Sequence, residues 1–145
     1  LLNMTREEVK EFLPHREPML LIDSLEIDSD NIAHGKYHVT GEEFFLMGHF
    51  PGNPVVPGVI QCEIMAQASG LLLGDDIKGK VPLYAGINNV RFKQPVRPGD
   101  TIEITAKITN RRGPIVFVEA FAEVNGKRCV QGDLSFALID KDKAL

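Results

Sequence analysis

The sequence predicts an α+β protein in which an antiparallel sheet curls around one central helix. Three observations carry this. Residues 57–73 form one long apolar stretch of helical character, apolar on every side from Val59 and Ile60 through Ile64 and Met65 to Leu71 and Leu72. A helix without a polar face must be covered all round rather than lie on one surface. The chain beyond residue 80 reads as long strands, with Ile102, Ile104, Ala106 and Ile108 alternating against Thr101, Glu103, Thr105 and Lys107. Between two such strands Asn125-Gly126 is the favoured pair for a tight hairpin turn, and a hairpin makes its strands antiparallel.

The elements follow in order. Thr5-Arg6-Glu7-Glu8 is a capping box with Met4 and Val9 placed as a hydrophobic staple, so a short helix starts there and runs to about Leu13. Pro14 and Pro18 fix a rigid irregular turn. "MLLIDSLEID", residues 19–28, then reads as a buried strand entering a more polar stretch, and "NIAHGKYHVT", residues 31–40, as its partner with a bulge at Gly35. Pro57 suits the first helical position, where an amide needs no intrahelical acceptor. Gly74 suits a left-handed cap, followed by a polar loop at Asp75-Asp76. Residues 82–93, 100–110, 115–124 and 128–139 are the later strands. No repeat, low-complexity tract or linker interrupts the chain, so residues 1–145 are expected to form a single domain.

Composition narrows the function classes. A chain of 145 residues, 43% hydrophobic and 25% charged, can bury a core without disulfides or metals. Cys62 and Cys129 stand without a Cys-rich framework or secretory signal, which points to reduced thiols in the cytoplasm. A net charge of -4 gives no general attraction to nucleic acid or an anionic membrane. Residues 55–73 approach transmembrane length, but Pro57, Gln61, Glu63, Gln67 and Ser69 are costly in lipid, so a buried soluble helix is the reading.

The chemistry concentrates in "MGHFPGNPVVPGVIQCEIMAQ", residues 47–67. Pro51, Pro54 and Pro57 are spaced three apart between Gly48, Gly52 and Gly58, giving a loop stiff enough to hold His49 in one place, as a general base requires. The Gly58 amide at the start of the helix suits an oxygen gaining negative charge. Glu63 is a carboxylate inside an apolar helix; burial should raise its pKa, favour the protonated form and make it a general acid. Base, oxyanion donor and acid are the set that removes a proton alpha to a carbonyl and expels a beta hydroxyl. The alternatives at this level are a structural histidine in an ordinary loop, a glutamate neutralised by a distant arginine, and a metal pair lacking a third ligand. His34 and His38 share a strand face and read as surface polar residues, and His15 reads as bracing its loop. Nucleotide-loop, zinc-protease and serine-hydrolase motifs are absent.

At "LPHREPMLLID", "GHFPGNPVVPGV", "EIMAQASG", "YAGINNVRFKQPVRPGD" and "TNRRG", in that order from residue 13 to residue 113, the sequence resembles the FabZ-type (3R)-hydroxyacyl-acyl carrier protein dehydratases of type II fatty acid synthesis. The resemblance implies the hot-dog fold, and homodimers assembled into a trimer of dimers. It implies that His49 and Glu63 are catalytic and meet from different subunits. Gly58 would polarise the thioester carbonyl, Val55 would orient the histidine ring through its carbonyl, and Gln67 would lie beside the glutamate. The implied substrate rides on the phosphopantetheine arm of an acyl carrier protein, and no metal or other cofactor is implied. An acidic carrier meeting an acidic enzyme calls for a local basic patch, for which Arg91, Lys93 and Arg97 are the candidates. Glu17 departs from the pattern, standing where the family has an aromatic gate residue; Gln61 and Cys62 replace aliphatics, and Asn88 and Asn89 stand at positions often charged. The competing readings are a hot-dog thioesterase or hydratase acting on coenzyme A esters, and a noncatalytic acyl-carrier binding subunit. The pairing of His49 with Glu63 disfavours both.

Overall fold

A computed structural model describes residues 2–144. In chain order the elements are β1 (Leu2–Thr5), α1 (Arg6–Val9), β2 (Ser24–Ile27), β3 (Ala33–His38), a 3-10 turn (Phe44–Leu46), α2 (Gly58–Gly70), a second 3-10 segment (Leu71–Ile77), β4 (Lys80–Phe92), β5 (Thr101–Arg112), β6 (Ile115–Val124), β7 (Lys127–Asp140) and α3 (Lys141–Ala144). The strands form one sheet in the order β1-β2-β3-β5-β6-β7-β4, and every neighbouring pair is antiparallel. The sheet wraps α2, which packs against β3, β5, β6 and β7. This is the α+β hot-dog arrangement expected.

The local signals mostly hold. Thr5 Oγ1 accepts the Glu8 amide at 3.3 Å and Glu8 Oε1 accepts the Thr5 amide at 3.2 Å, closing the capping box. The α-helix stops at Val9, short of the expected Leu13: the Lys10, Glu11 and Phe12 amides bond three residues back, and the Leu13 amide reaches the Val9 carbonyl at 3.0 Å. Asn125 and Gly126 take φ of 52° and 78°, the left-handed pair that a two-residue hairpin needs, and Val124 pairs with Lys127 across it. β1 carries no sequence signal of its own, since four residues are too few to show alternation; it forms by pairing with β2.

Residues 19–23 are not strand. Leu20, Leu21 and Ile22 are as buried as the periodicity implies, at 1%, 0% and 0% exposed. Their backbone is satisfied by side chains instead of a strand ladder. The Arg6 guanidinium donates to the carbonyls of Leu20 at 2.8 Å and Ile22 at 3.2 Å. Gln67 accepts the Leu21 amide at 2.8 Å and donates to the Met19 carbonyl at 2.7 Å. Only Ser24–Ile27 joins the sheet. An apolar run reports burial, and distant side chains decide where its hydrogen bonds go.

Gly35 makes no bulge either. It pairs in register with Leu25 and Ile104, and a Cβ there would lie 3.5 Å from the Ala68 Cβ, so the glycine lets β3 lie close against α2. The register shifts fall instead in β4, in β5 and, at Cys129, in β7. Within the β4 irregularity Asn89 takes φ of 55°, and Gly132 on β7 makes room for Val90, whose Cγ2 would lie 2.7 Å from an added Cβ.

α2 begins one residue later than expected. Pro57 caps it with extended backbone, φ -54° and ψ 142°, rather than occupying its first turn. From Ile64 to Gly70 the helix is buried throughout, but the cover is incomplete near its start: Val59 is 75% exposed and the Ile60 and Glu63 side chains are half-buried. Gly74, at φ 56° and ψ -132°, breaks the 3-10 segment, and Asp75-Asp76 lie in a further 3-10 turn that ends at the buried Ile77 rather than in a loop. Among the described residues no helix is long and apolar enough to cross a membrane.

Candidate active site

His49 sits in the loop between the first 3-10 turn and α2. Its Nδ1 lies 3.0 Å from the Val55 carbonyl, and the Val55 amide returns a bond to the His49 carbonyl at 2.8 Å. A carbonyl only accepts, so Nδ1 carries the hydrogen and Nε2 is left with a bare lone pair. The turn between is closed by reciprocal bonds between Phe50 and Asn53 at 3.2 and 2.9 Å. The Phe50 ring stacks on the imidazole, with centroids 4.3 Å apart. The loop therefore performs the holding function read from its prolines and glycines.

An open groove of about 670 Å³ runs past this histidine, walled by Val55, Gly58, Gln61, Phe92 and Lys93 among others. Gly58 opens α2, so its amide lies in the first turn, where no intrahelical acceptor exists. Glycine leaves room there for the Phe92 ring, which a Cβ would meet at 2.9 Å unless the ring moved. His49, Val55 and Gly58 are thus brought together as expected.

Glu63 is not part of that groove's wall. Its Oε2 accepts from Gln67 Nε2 at 2.9 Å, the neighbour expected one helical turn on, and lies 3.2 Å from His15 Nε2. Burial pushes its pKa up, but the contacts with His15, Gln67 and the Tyr84 hydroxyl outweigh that and hold it below the ordinary carboxylate value. The expected protonated acid is therefore a carboxylate at rest, because the helix meets polar groups at this one position. Burial and the Glu63 charge in turn push the Tyr84 phenol well above its ordinary value.

His15 is the residue that sequence reasoning misplaced. It does not merely brace its loop. The loop is braced by Arg16, whose guanidinium donates to the carbonyls of Leu13, His15 and Lys10 at 2.9, 2.7 and 3.1 Å. His15 faces Glu63, across 48 positions of sequence, because Gln67 ties Met19 and Leu21 to α2. Tyr84 was missed for the same reason: a tyrosine in a strand gives no signal of what it faces.

A family model for the FabA-like domain matches residues 13–133. The chain belongs to the FabA-like family. It is similar to the 3-hydroxyacyl-[acyl-carrier-protein] dehydratase FabZ of Streptococcus sanguinis, 50% identical over 133 residues covering 90% of this chain and 94% of that protein. The enzyme of the same name from Lactococcus lactis subsp. cremoris is 48% identical over 139 residues, covering 94% and 96%. In structure the chain resembles the dehydratase heterocomplex ApeI:P from Xenorhabdus doucetiae, with a TM-score of 0.79 at 24% identity and 92% of each chain covered. It also resembles the fluoroacetyl-CoA thioesterase FlK, with a TM-score of 0.68 at 17% identity, covering 77% of this chain and 87% of that one. At such identities these two structures show the shared hot-dog fold alone.

The other candidate residues of this FabA-like chain are spread over the fold. Arg91, Lys93 and Arg97 are all exposed; Lys93 lines the groove, and Arg97 Nη1 reaches Asn53 Oδ1 at 3.3 Å on the histidine loop. Glu17 is held in ion pairs with Arg6 at 3.1 Å and Lys10 at 3.2 Å. Cys62 and Cys129 are both buried and unpaired. His34 pairs with Asp28 at 2.9 Å and His38 with Thr101 at 3.0 Å, both on the surface. Among the described residues no three His, Cys, Asp or Glu side chains are grouped to hold a metal ion.

Proposed function

We propose that this chain dehydrates (3R)-3-hydroxyacyl groups, carried on the phosphopantetheine arm of an acyl carrier protein, to trans-2-enoyl groups in type II fatty acid synthesis. One observation carries the reading: in a chain about half identical to dehydratases of that name, a histidine with a bare Nε2 lies in an open groove beside a first-turn glycine amide. The thioester carbonyl accepts the Gly58 amide and gains negative charge as C2 is deprotonated. His49 Nε2 takes the C2 proton. The electron pair of the C2–H bond becomes the C2=C3 bond, and the C3–O bond breaks. Glu63, a carboxylate at rest, accepts a hydrogen bond from the C3 hydroxyl and holds that oxygen for the proton removed from C2, so it leaves as water. Proton and electrons balance without a redox step.

His49 and Glu63 line different surfaces of one chain, which supports a site completed by a second copy. β4 pairs with β7 on one edge and has no partner on the other among the described residues. It exposes Leu83, Tyr84, Ile87 and Phe92, at 43%, 42%, 48% and 54%. With the uncovered Val59 face of α2, this edge is a surface for a second copy in an isologous dimer, His49 of one copy meeting Glu63 of the other. A trimer of such dimers is the expected assembly. Lys93 on the groove wall, with Arg97 against Asn53 and the exposed Arg91, would receive the acidic carrier, and a cytoplasmic setting agrees with two buried free thiols.

The test is a spectroscopic assay of reversible hydration of a carrier-linked trans-2-enoyl thioester, with parent, His49→Ala and Glu63→Gln. Turnover by the parent and its loss in both folded variants is the expected result. Release of free thiol instead of water exchange would assign thioester hydrolysis, and an inert parent would remove the enzyme reading.

A further inference from the structure

Glu63 has two oxygens with different surroundings, and the difference is built by residues outside its helix turn. Oε2 receives both anchoring contacts, Gln67 Nε2 at 2.9 Å and His15 Nε2 at 3.2 Å. His15 Nδ1 is buried with no hydrogen-bond partner. Because a buried N–H without an acceptor costs more than a bare lone pair, the hydrogen of the ring belongs on Nε2, the nitrogen 3.2 Å from Glu63 Oε2. The loop that carries His15 is itself locked, by Arg16 on three carbonyls and by Gln67 on Met19 and Leu21. His15 is therefore a fixed donor on a fixed loop.

We infer that His15 is a positioning residue for the dehydration: with Gln67 it pins Oε2 of Glu63 and leaves Oε1 as the oxygen that meets the C3 hydroxyl. The inference rests on the reading of Glu63 given above, and concerns which oxygen works and in what charge state. A carboxylate free to rotate would offer either oxygen in turn; one pinned through Oε2 presents the same lone pairs at every turnover. The titratable groups facing Glu63 are His15 from the loop after α1, Tyr84 from β4, and Cys62 beside it on α2, whose thiol the Glu63 charge pushes further up. Of these, His15 makes the direct 3.2 Å contact that its loop holds in place.

The experiment compares the parent, His15→Leu and His15→Gln, the glutamine restoring an amide donor near the Nε2 position. Two quantities are read: kcat and KM for the carrier-linked substrate, and the pH titration of the Glu63 side-chain carboxyl by carbon-13 NMR, assigned by its absence in Glu63→Gln. His15→Leu is expected to lose kcat by on the order of tenfold with KM nearly unchanged, as for loss of one hydrogen bond to a charged group. Its Glu63 carboxyl should titrate at higher pH than in the parent, and His15→Gln should recover both. Parent-like kcat in His15→Leu overturns the inference, and so does a loss of kcat without movement of the Glu63 titration, which marks a merely structural residue. Should His15→Leu fail to fold, a parent Glu63 titrating above the ordinary carboxylate range overturns it alone. If the parent is inert and Glu63→Gln changes nothing, the dehydratase reading has failed, while the titration still decides whether His15 governs the carboxylate.

Discussion

Gln67 ties the site to the fold, and replacing it with leucine separates what it does in each. Its side chain is 1% exposed and makes three bonds: from the Leu21 amide at 2.8 Å, to the Met19 carbonyl at 2.7 Å and to Glu63 at 2.9 Å. Leucine fills similar space without any of them. The Leu21 N–H and Met19 C=O then lie in a segment where no strand stands in for the lost partner, and each buried orphan costs about 1–3 kcal/mol. Allowing for relaxation, the sum is about 3 kcal/mol, a large fraction of the stability of a domain this size. At roughly 3 °C per kcal/mol, Tm falls by about 10 °C. Urea unfolding gives the free energy and calorimetry the Tm. Glu63 also loses a donor, so its carboxyl titrates higher in the variant. Unfolding within about 0.5 kcal/mol of the parent, an ordinary surface effect, would refute the claim that side chains replace the strand ladder at residues 19–22.

Gly58→Ala should fold with nearly parental stability, because the Phe92 ring it displaces, 2.9 Å from the new Cβ, is 54% exposed and can swing away. Its kcat/KM should fall at least tenfold as the groove wall and the amide are disturbed, by about the 1.4 kcal/mol that a damaged oxyanion contact represents. Lys93→Glu should raise KM for the carrier-linked substrate and leave a small thioester unaffected; equal effects on both would place the lysine on the substrate rather than the carrier. Glu43 offers a pH test of stability. Burial pushes its carboxyl up, but the Tyr37 hydroxyl at 2.6 Å and the amides of Thr40 and Gly41 pull it down to about 2 from 4.5. Its folded value is depressed, so its contribution is complete above about 4.5 and fades as pH falls towards about 2. Tyr37→Phe should cost about 1 kcal/mol at neutral pH, with the gap to the parent narrowing in acid. A gap that is the same at pH 7 and in acid contradicts this assignment.

Much of the architecture was legible because its signals are local. The capping box at Thr5, the left-handed pair at Asn125-Gly126 and the alternation of β5 each depend on residues a few positions apart. The central helix was legible for a different reason: an all-apolar stretch has one environment open to it in a domain this small. What failed depended on distant partners. Residues 19–23 look like strand because they are buried, and nothing in "MLLID" says that Arg6 and Gln67 hold its backbone. Gly35 looks like a bulge until Ala68 is seen against it. In the site, His49 and Gly58 could be read from the residues of one continuous segment, whereas Val55 and Gln67 entered only through the family resemblance. The charge state of Glu63 could not, since its governing donor, His15, comes from a loop 48 residues earlier, and burial alone argues in the opposite direction.

The central claim is dehydration at a site shared between two copies, and mixing two dead enzymes tests it directly. His49→Ala and Glu63→Gln are each prepared, mixed one to one under conditions that exchange subunits, and assayed on the carrier-linked enoyl thioester. In a symmetric dimer with shared sites, half of the mixed population is hybrid, and each hybrid restores one intact site of its two, so about 25% of parental activity returns. That recovery is the predicted result; a mixture that exchanges subunits and remains as inactive as either variant alone contradicts it.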